Sequence, residues 1–145
     1  MAIKGFGSAS IEDINNLQEK YNIKLPQDYC EFLMKYNGGD LSDDGCEVFV
    51  KYLDTDIHMD VLFGVNTGNR DLDVDTWTDD YSYDMPPYTI IIGASHEHGL
   101  IVLLCEGENA GVYYWDDGYE FECSSDEVNT YFIADTFTEF VQNII

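Results

Sequence analysis

Basic residues are scarce in this sequence of 145 residues. Six Lys and Arg stand against 29 Asp and Glu, which gives a formal net charge of −23 at pH 7. No basic residue follows Arg70, so 17 of the acidic residues lie in a half of the chain without a compensating base. Such a field repels phosphate backbones and anionic lipids. We therefore exclude nucleic acid and membranes as direct partners and expect attraction toward a basic protein.

Long apolar runs are also missing from the sequence. No segment approaches the roughly 20 apolar residues that a membrane-spanning helix needs, and the first ten residues lack the apolar run of a secretion signal. These absences predict a cytoplasmic protein. With a hydrophobic content of 45%, the chain is long enough to bury its own core, and we assign residues 1–145 to one domain.

The most apolar segments lie between positions 88 and 122, where turn residues interrupt them at intervals typical of short antiparallel strands. We predict a four-strand meander over residues 89–93, 100–104, 112–115 and 119–122. The second strand is the central one, because apolar residues at successive positions indicate that both faces are covered.

An Asp-Gly pair at positions 117 and 118 predicts a tight type I′ turn between the third and fourth strands. The register that follows places Tyr114 opposite Phe121 and Val112 opposite Cys123 on the core side. The other side is predicted to be an open aromatic surface edged with carboxylates, formed by Tyr113, Trp115, Glu120 and Glu122.

The four cysteines have no spacing that indicates a zinc site. A five-residue loop from Glu106 to Ala110 would set Cys105 opposite Gly111 and leave Cys123 two strands away. Two strand spacings are roughly 9–10 Å, which is beyond the reach of a disulfide. We predict buried free thiols.

Helical patterns lie at both ends of the chain. Ser10, followed by acidic residues, predicts the start of a helix that ends near Tyr21. Pro26 predicts the first position of a second helix, which Gly38 and Gly39 end through a left-handed cap. A closing helix from Asp135 carries an apolar stripe at helical spacing that predicts packing on the sheet.

The middle of the chain is less regular. We predict strands over residues 46–53 and 61–65, a loop over residues 66–69, and a short extended piece over residues 131–134. Residues 71–84 fit either a short helix capped by Asn69 or an irregular segment, because their Asp and Thr content lowers helix propensity. The predicted fold class is α+β, with two N-terminal helices, an antiparallel-rich mixed sheet of five to six strands, and a C-terminal helix packed on the sheet.

Two motifs resemble metal sites. The Asp71-x-Asp73-x-Asp75 pattern resembles the start of a calcium loop, but Thr76 replaces the required glycine and Ser82 the bidentate glutamate. The histidines at positions 96 and 98 lie in a predicted hairpin turn with no carboxylate pair placed beside them. We predict no metal and no cofactor.

Two clusters combine aromatic rings with carboxylates, one over residues 77–84 and one over residues 113–122. Aromatic anchors bury area at low entropic cost, and neighbouring carboxylates form charge-assisted pairs with Arg and Lys of a partner. The alternative is that a helix covers the rings and assigns them to the core. The predicted partner-binding residues are Trp77, Asp79, Asp80, Tyr81, Asp84, Tyr113, Trp115, Asp116, Asp117, Glu120 and Glu122.

Several short motifs, taken in order, resemble the SUKH superfamily and specifically its Smi/Knr-type domain. The resemblance spans residues 10–144. The chain departs from the family pattern at one position: the family often has Asp after the glycine that matches Gly99, and this chain has Leu100 there. The motifs are Leu25-Pro26-Gln27-Asp28-Tyr29 with Phe32-Leu33, Asn37-Gly38-Gly39, Ile92-Gly93, Gly99, Gly111-Val112-Tyr113-Tyr114-Trp115-Asp116 and residues 133–140.

The resemblance implies an α+β binding domain that is not an enzyme. Bacterial members look like immunity proteins, which are cytoplasmic antidotes that block the toxin domain of a polymorphic or contact-dependent toxin, commonly a nuclease. Similar fungal domains belong to regulators of cell-wall synthesis. The short N-terminus favours the bacterial kind, and we expect a monomer or weak dimer whose partner is a basic toxin domain.

Two other hypotheses stay open. The chain could be a general interaction or regulatory module, such as a cell-wall synthesis regulator domain. It could also be a metal-dependent enzyme that uses His96, His98 and nearby acids.

Overall fold

The computed structural model describes residues 3–41, 46–95, 99–118, 124 and 129–144. Helix α1, Ile11–Tyr21, begins at the predicted Ser10, where a capping box satisfies two backbone amides. The Ser10 hydroxyl accepts from the Asp13 amide at 3.0 Å, and the Asp13 carboxylate accepts from the Ser10 amide at 3.1 Å. The predicted start and end of this helix are confirmed.

Helix α2, Gln27–Lys35, follows Pro26, which precedes the helix instead of occupying its first position. The chain leaves this helix through Asn37 and Gly38, whose φ angles are 51° and 85°. A Cβ on Gly38 would lie 2.5 Å from the carbonyl oxygen of Leu62. Both the positive φ and the close approach therefore require glycine, which agrees with the predicted left-handed end.

Among the described residues, the main sheet has six antiparallel strands in the order β1-β4-β5-β6-β7-β8. Strand β6 lies between β5 and β7, and its first four residues are buried, which confirms the predicted central strand. The strands are β1 Gly39–Asp40, β4 Val61–Leu62, β5 Thr89–Ala94, β6 Leu100–Leu104, β7 Gly111–Trp115 and β8 Thr130–Ala134.

The predicted partner of β7 is wrong. Tyr114 lies opposite Tyr131 instead of Phe121, and Val112 lies opposite Ala134 instead of Cys123. The reason is that the segment predicted as a short extended piece is strand β8, whose β-branched and aromatic residues occupy the free edge of β7. Residues 119–122, the predicted fourth strand, lie outside the described residues.

The connection between β6 and β7 is one residue longer than predicted. Leu104, and not Cys105, lies opposite Gly111. Cys30 and Cys105 are free thiols, and Cys46 and Cys105 are buried as predicted. Burial raises the pKa of Cys105 to about 12, so its thiol is protonated at neutral pH.

A separate two-stranded sheet consists of β2 Glu47–Val50 and β3 Thr55–His58. The predicted strand over residues 46–53 is shorter than expected because a 3-10 turn at Lys51–Leu53 and a left-handed Asp54 reverse the chain. Both β2 and this turn pack against β8.

The segment over residues 71–84, for which the sequence fitted either a helix or an irregular structure, contains helix α3, Val74–Tyr81. A 3-10 turn lies on each side of this helix, at Arg70–Leu72 and at Ser82–Asp84. The predicted Asn69 cap is confirmed for the 3-10 turn at Arg70–Leu72, where the Asn69 side chain accepts from the Asp71 amide at 3.0 Å. Thr78 fixes α3 against β5, because its hydroxyl accepts from the Ile91 amide at 3.0 Å.

Helix α4, Phe137–Asn143, begins at Thr136 and not at the predicted Asp135. The Thr136 hydroxyl is the cap, since it accepts from the Glu139 amide at 3.1 Å. Phe137 packs on Tyr29 of α2 with ring centroids 4.9 Å apart, and α4 contacts β7 and β8 as predicted. Within the described ranges no helix is long and apolar enough to cross a membrane.

Candidate partner-binding cleft

The two predicted clusters meet at one cleft of about 850 Å³. The first cluster contributes side chains from the end of α3 and the turn that follows it, and the second contributes side chains from β7 and its exit. We call this site the aromatic-acidic cleft and define it by Tyr81, Tyr83, Asp84, Tyr113, Trp115 and Asp117.

The alternation of strand β7 places Tyr113 and Trp115 on the same face of the sheet. On this face α3 approaches the sheet, and the Tyr81 ring meets the Trp115 ring edge-on at 5.5 Å. Gly99 permits the adjacent strand to pair closely, since a Cβ there would overlap the carbonyl oxygen of Trp115. The alternate residues of β7, Val112 and Tyr114, are fully buried on the other face.

Trp77 and Tyr81 belong to a continuous row of rings. Trp77 stacks on Phe63 at 4.9 Å and on Tyr81 at 6.5 Å, and Tyr81 in turn contacts Trp115. The Trp77 indole donates to the carbonyl oxygen of Asp71 at 2.8 Å. Trp77 is therefore a half-buried support for Tyr81 and not a fully exposed anchor.

The expectation that the outer side of β7 is an open surface is wrong at its end. Trp115 is only 7% exposed because α3 covers it through Tyr81, and Asp116 is fully buried at 0% exposure. The Asp116 amide donates to the carbonyl oxygen of Asn129 at 2.8 Å, where the chain runs beside the start of β8. Tyr113 is half-buried, and its hydroxyl donates to the carbonyl oxygen of Asn109 at 2.6 Å.

Asp79 forms a link between α3 and α1. Its carboxylate lies 2.6 Å from the Lys20 ammonium and accepts from the Tyr21 hydroxyl at 2.7 Å. Burial opposes its ionisation, but the hydrogen bonds from Lys20 and Tyr21 outweigh burial and hold the pKa of Asp79 below its usual value. Sequence reasoning missed this link because the partners are 59 residues apart and carry no local signal.

Basic side chains lie close to Asp79 and the first turn of α3, but not in the described lining of the cleft. Arg70 lies 3.4 Å from Asp73 and 3.2 Å from Asp75, so a second cation is paired beside the first turn of α3. Among the described residues that line the cleft there is no Lys or Arg. Burial, and then the charges of Asp117 and Asp80, raise the pKa of Tyr81, so its hydroxyl stays protonated at neutral pH.

The calcium-like motif has a structural role at Asp73. One of its carboxylate oxygens accepts from the Thr67 amide at 2.9 Å and from the Thr67 hydroxyl at 2.7 Å. In the part of the chain that the structure describes, no group of three or more His, Cys, Asp or Glu side chains is placed to hold a metal ion. His96, His98, Glu120 and Glu122 lie outside that part.

The geometry defines the class of protein as an α+β domain, with four helices among the described residues and an acidic cleft lined by rings. The chain belongs to the SMI1 / KNR4 family (SUKH-1), whose sequence model matches residues 8–143. This confirms the resemblance inferred from the motifs. Domains of this family are in general immunity or interaction domains and not enzymes. A search of curated proteins finds no match to the chain.

Proposed function

We propose that this chain is a cytoplasmic immunity protein that folds as one domain and blocks a basic toxin domain without performing a reaction of its own. The observation that carries the proposal is the meeting of two aromatic-acidic clusters at one cleft whose described lining contains no Lys or Arg. Family membership supports the immunity role, and the net charge of −23 supports a basic partner.

The cleft is suited to a cationic projection of the partner. Tyr83 is 80% exposed and offers a ring at the mouth of the cleft, while Tyr113 and Tyr81 form half-buried walls. Asp84 and Asp117 line the same space and can form charge-assisted pairs with Arg or Lys. For a nuclease, these carboxylates would take the place of substrate phosphate in its basic groove.

The other residues that the sequence predicted to contact the partner differ in how buried they are and in the contacts they make within the chain. Asp80 is exposed beside Tyr81 and adds to the negative field. Trp77, Asp79, Trp115 and Asp116 act in this proposal by holding the walls of the cleft in position. Contact of Glu120 and Glu122 with the partner remains a prediction from the sequence.

Electrostatic attraction contributes mainly to the speed of association. An oppositely charged pair of proteins associates roughly 10- to 1000-fold faster than a neutral pair at low salt. The complex is therefore expected to form more slowly as salt is added, with a smaller change in its dissociation rate.

The proposal is tested by co-expressing the chain with the toxin domain encoded beside it and isolating the complex at low salt. Asp84→Lys reverses a charge in the cleft, and Asp56→Lys makes the same change at an exposed position on β3. We expect Asp84→Lys to weaken binding about tenfold or more, and Asp56→Lys to change it only through the altered net charge. Failure to rescue growth together with no complex at low salt would exclude the immunity role.

A pull-down that returns a housekeeping protein in place of a toxin would support the general interaction module. In that case the same two variants decide whether the cleft is the binding site. Equal binding by Asp84→Lys and Asp56→Lys would remove the cleft from the proposal.

A further inference from the structure

The floor of the aromatic-acidic cleft is one face of the main sheet. Strand β6 contributes Val102 and Leu104 to it, beside Tyr113 and Trp115 of β7. The 3-10 turn at Ser82–Asp84 contributes to one wall. The floor is therefore mostly apolar, and each polar atom that a side chain brings to it restricts what a partner can place there.

The indole N–H of Trp115 is such an atom. The residue lines the cleft and is only 7% exposed. Within the described chain its indole N–H makes no hydrogen bond, whereas the Trp77 indole donates to the carbonyl oxygen of Asp71 at 2.8 Å. Elsewhere in the fold the Ser95 hydroxyl is both unpaired and enclosed by protein, but the Trp115 nitrogen is not among such enclosed atoms. This N–H is therefore a donor that a group in the cleft can reach.

A partner that fills the cleft has to satisfy this donor. Contact removes water from the N–H, and a buried donor without an acceptor costs more than a satisfied one gains. An anionic acceptor is disfavoured, because the described lining contains no Lys or Arg and the chain carries a net charge of −23. The acceptor that fits is a neutral oxygen, and every residue of a protein partner carries one as its main-chain carbonyl.

Asn129 supplies a second donor to the same cleft. The residue is half-buried, and its side-chain oxygen accepts from the Thr130 hydroxyl at 3.1 Å. The amide nitrogen of this side chain makes no hydrogen bond in the described ranges. Two donors in one cleft favour a peptide segment, because successive residues present several carbonyl oxygens.

The cationic part of such a segment has its own contact at Asp84. This carboxylate is exposed, lines the cleft, and forms no ion pair or hydrogen bond with the described residues. It differs from Asp117, which already has an interaction within the chain. Tyr83, which is 80% exposed, offers a ring to the hydrocarbon stem of a basic side chain.

We propose that the aromatic-acidic cleft binds a basic peptide segment of its partner, with one main-chain carbonyl oxygen accepting from the Trp115 indole N–H and an Arg or Lys side chain paired with Asp84. This inference rests on the proposed function, because it takes the partner to be a basic protein. It adds a polar contact of defined direction to an interface of charges and rings. A small cation without a carbonyl satisfies only half of the site, so it should bind more weakly.

The test is an NMR titration of the ¹⁵N-labelled full chain at constant salt. The chain has two Trp residues, so its spectrum contains two indole N–H signals, and that of Trp77 is the internal control because its N–H is already bonded to Asp71. The probes are acetyl-Gly-Arg-Gly-amide, the same peptide with norleucine in place of arginine, and agmatine, which carries a guanidinium without a carbonyl. We expect the arginine peptide to shift the Trp115 signal saturably, and the other two probes to bind about tenfold or more weakly.

Binding that depends on both the carbonyl and the charge supports the proposal. Equal binding of the norleucine peptide would remove the role of Asp84, equal binding of agmatine would remove the role of the carbonyl, and either result overturns the proposal. It is also overturned if the arginine peptide leaves the Trp115 signal unmoved, or if shifts spread over the acidic surface without saturation. Rescue of growth judges the proposed function separately, so a chain that rescues but fails this titration refutes only the peptide contact.

Variants test the two contacts directly. Trp115→Phe removes the N–H but keeps a ring against Tyr81, and should weaken binding of the arginine peptide about tenfold. Asp84→Asn in the cleft and Asp56→Asn on β3 remove the same charge, and only the first should weaken binding beyond the effect of net charge. Urea unfolding shows whether each variant is folded, and if Trp115→Phe is not, the wild-type indole signal decides. Unchanged affinity in folded Trp115→Phe would overturn the assignment of the donor.

Discussion

Two pairs of residues on α3, each spaced four apart, face different parts of the molecule. Asp75 and Asp79 face α1, where Lys20 lies 3.5 Å and 2.6 Å from their carboxylates. Trp77 and Tyr81 face the sheet, and their row of rings ends on Trp115 at the cleft. A spacing of four places each pair on one side of a helix. The comparison shows that acids of similar sequence context serve two purposes, because some hold α3 in place and others, such as Asp84, line a cleft.

The largest effect on the free energy of unfolding is expected for the rings that pack between α3 and the sheet. Trp115→Ala removes a buried ring against which Tyr81 packs, and should lower the free energy of unfolding by about 3–5 kcal/mol. Urea unfolding measures this loss. Tyr83→Ala is the control, because its ring is 80% exposed and its removal should change stability by less than about 0.5 kcal/mol. Similar losses in both variants would contradict the division between supporting and exposed rings.

A smaller effect is expected on the acid side. Asp79→Asn weakens a partly exposed ion pair with Lys20 and a hydrogen bond from Tyr21, and should cost about 1 kcal/mol. Asp80→Asn is the matched control, since it removes the neighbouring charge without breaking either contact. If the two variants unfold at the same urea concentration, the link to α1 contributes nothing to stability.

The contribution of Asp79 should also depend on pH. Its pKa in the folded chain lies below the usual 3.8, so the unfolded chain binds this proton more readily. The stabilisation is therefore complete well above pH 3.8 and is lost as the pH falls through the folded pKa. Unfolding of wild type and Asp79→Asn across this range should converge in acid, and a difference that grows in acid would show the opposite sign.

The smallest effect is expected for the exposed acids near the cleft. Asp80→Asn combined with Asp84→Asn should change the free energy of unfolding by less than about 0.5 kcal/mol. The direction should be stabilising, because the change relieves repulsion in a chain of net charge −23. Thermal unfolding at increasing NaCl checks the cause, since salt should stabilise wild type more than the double variant. A clear loss of stability would mean that these acids make structural contacts.

Much of the fold could be predicted because its signals are local. Ser10 and Asp13 are three residues apart and form the cap that starts α1. The run of apolar residues in β6 indicated two covered faces, and both are covered. The pairing of β7 could not be predicted in this way, because the local Asp-Gly signal concerns the turn and says nothing of a competing strand at residues 130–134.

The site shows the same limit. The rings and carboxylates of both clusters could be selected from the sequence, because aromatic residues beside acids are unusual on a merely solvated surface. Their meeting at one cleft could not, since Tyr81 reaches Trp115 only through the packing of α3 on the sheet. For the same reason the burial of Asp116 was missed.

The edges of the main sheet limit how a partner can bind. At one end, strand β1 has only two residues, and the backbone of Lys4 forms an isolated antiparallel bridge with Asp40 of this strand. At the other end β2 and the Lys51–Leu53 turn pack against β8. In the described residues, the β1 end therefore offers no long backbone ladder that an incoming strand could extend. Under the proposed function recognition falls mainly to side chains, so a lineage of such proteins could change partners by surface substitution while keeping the same scaffold.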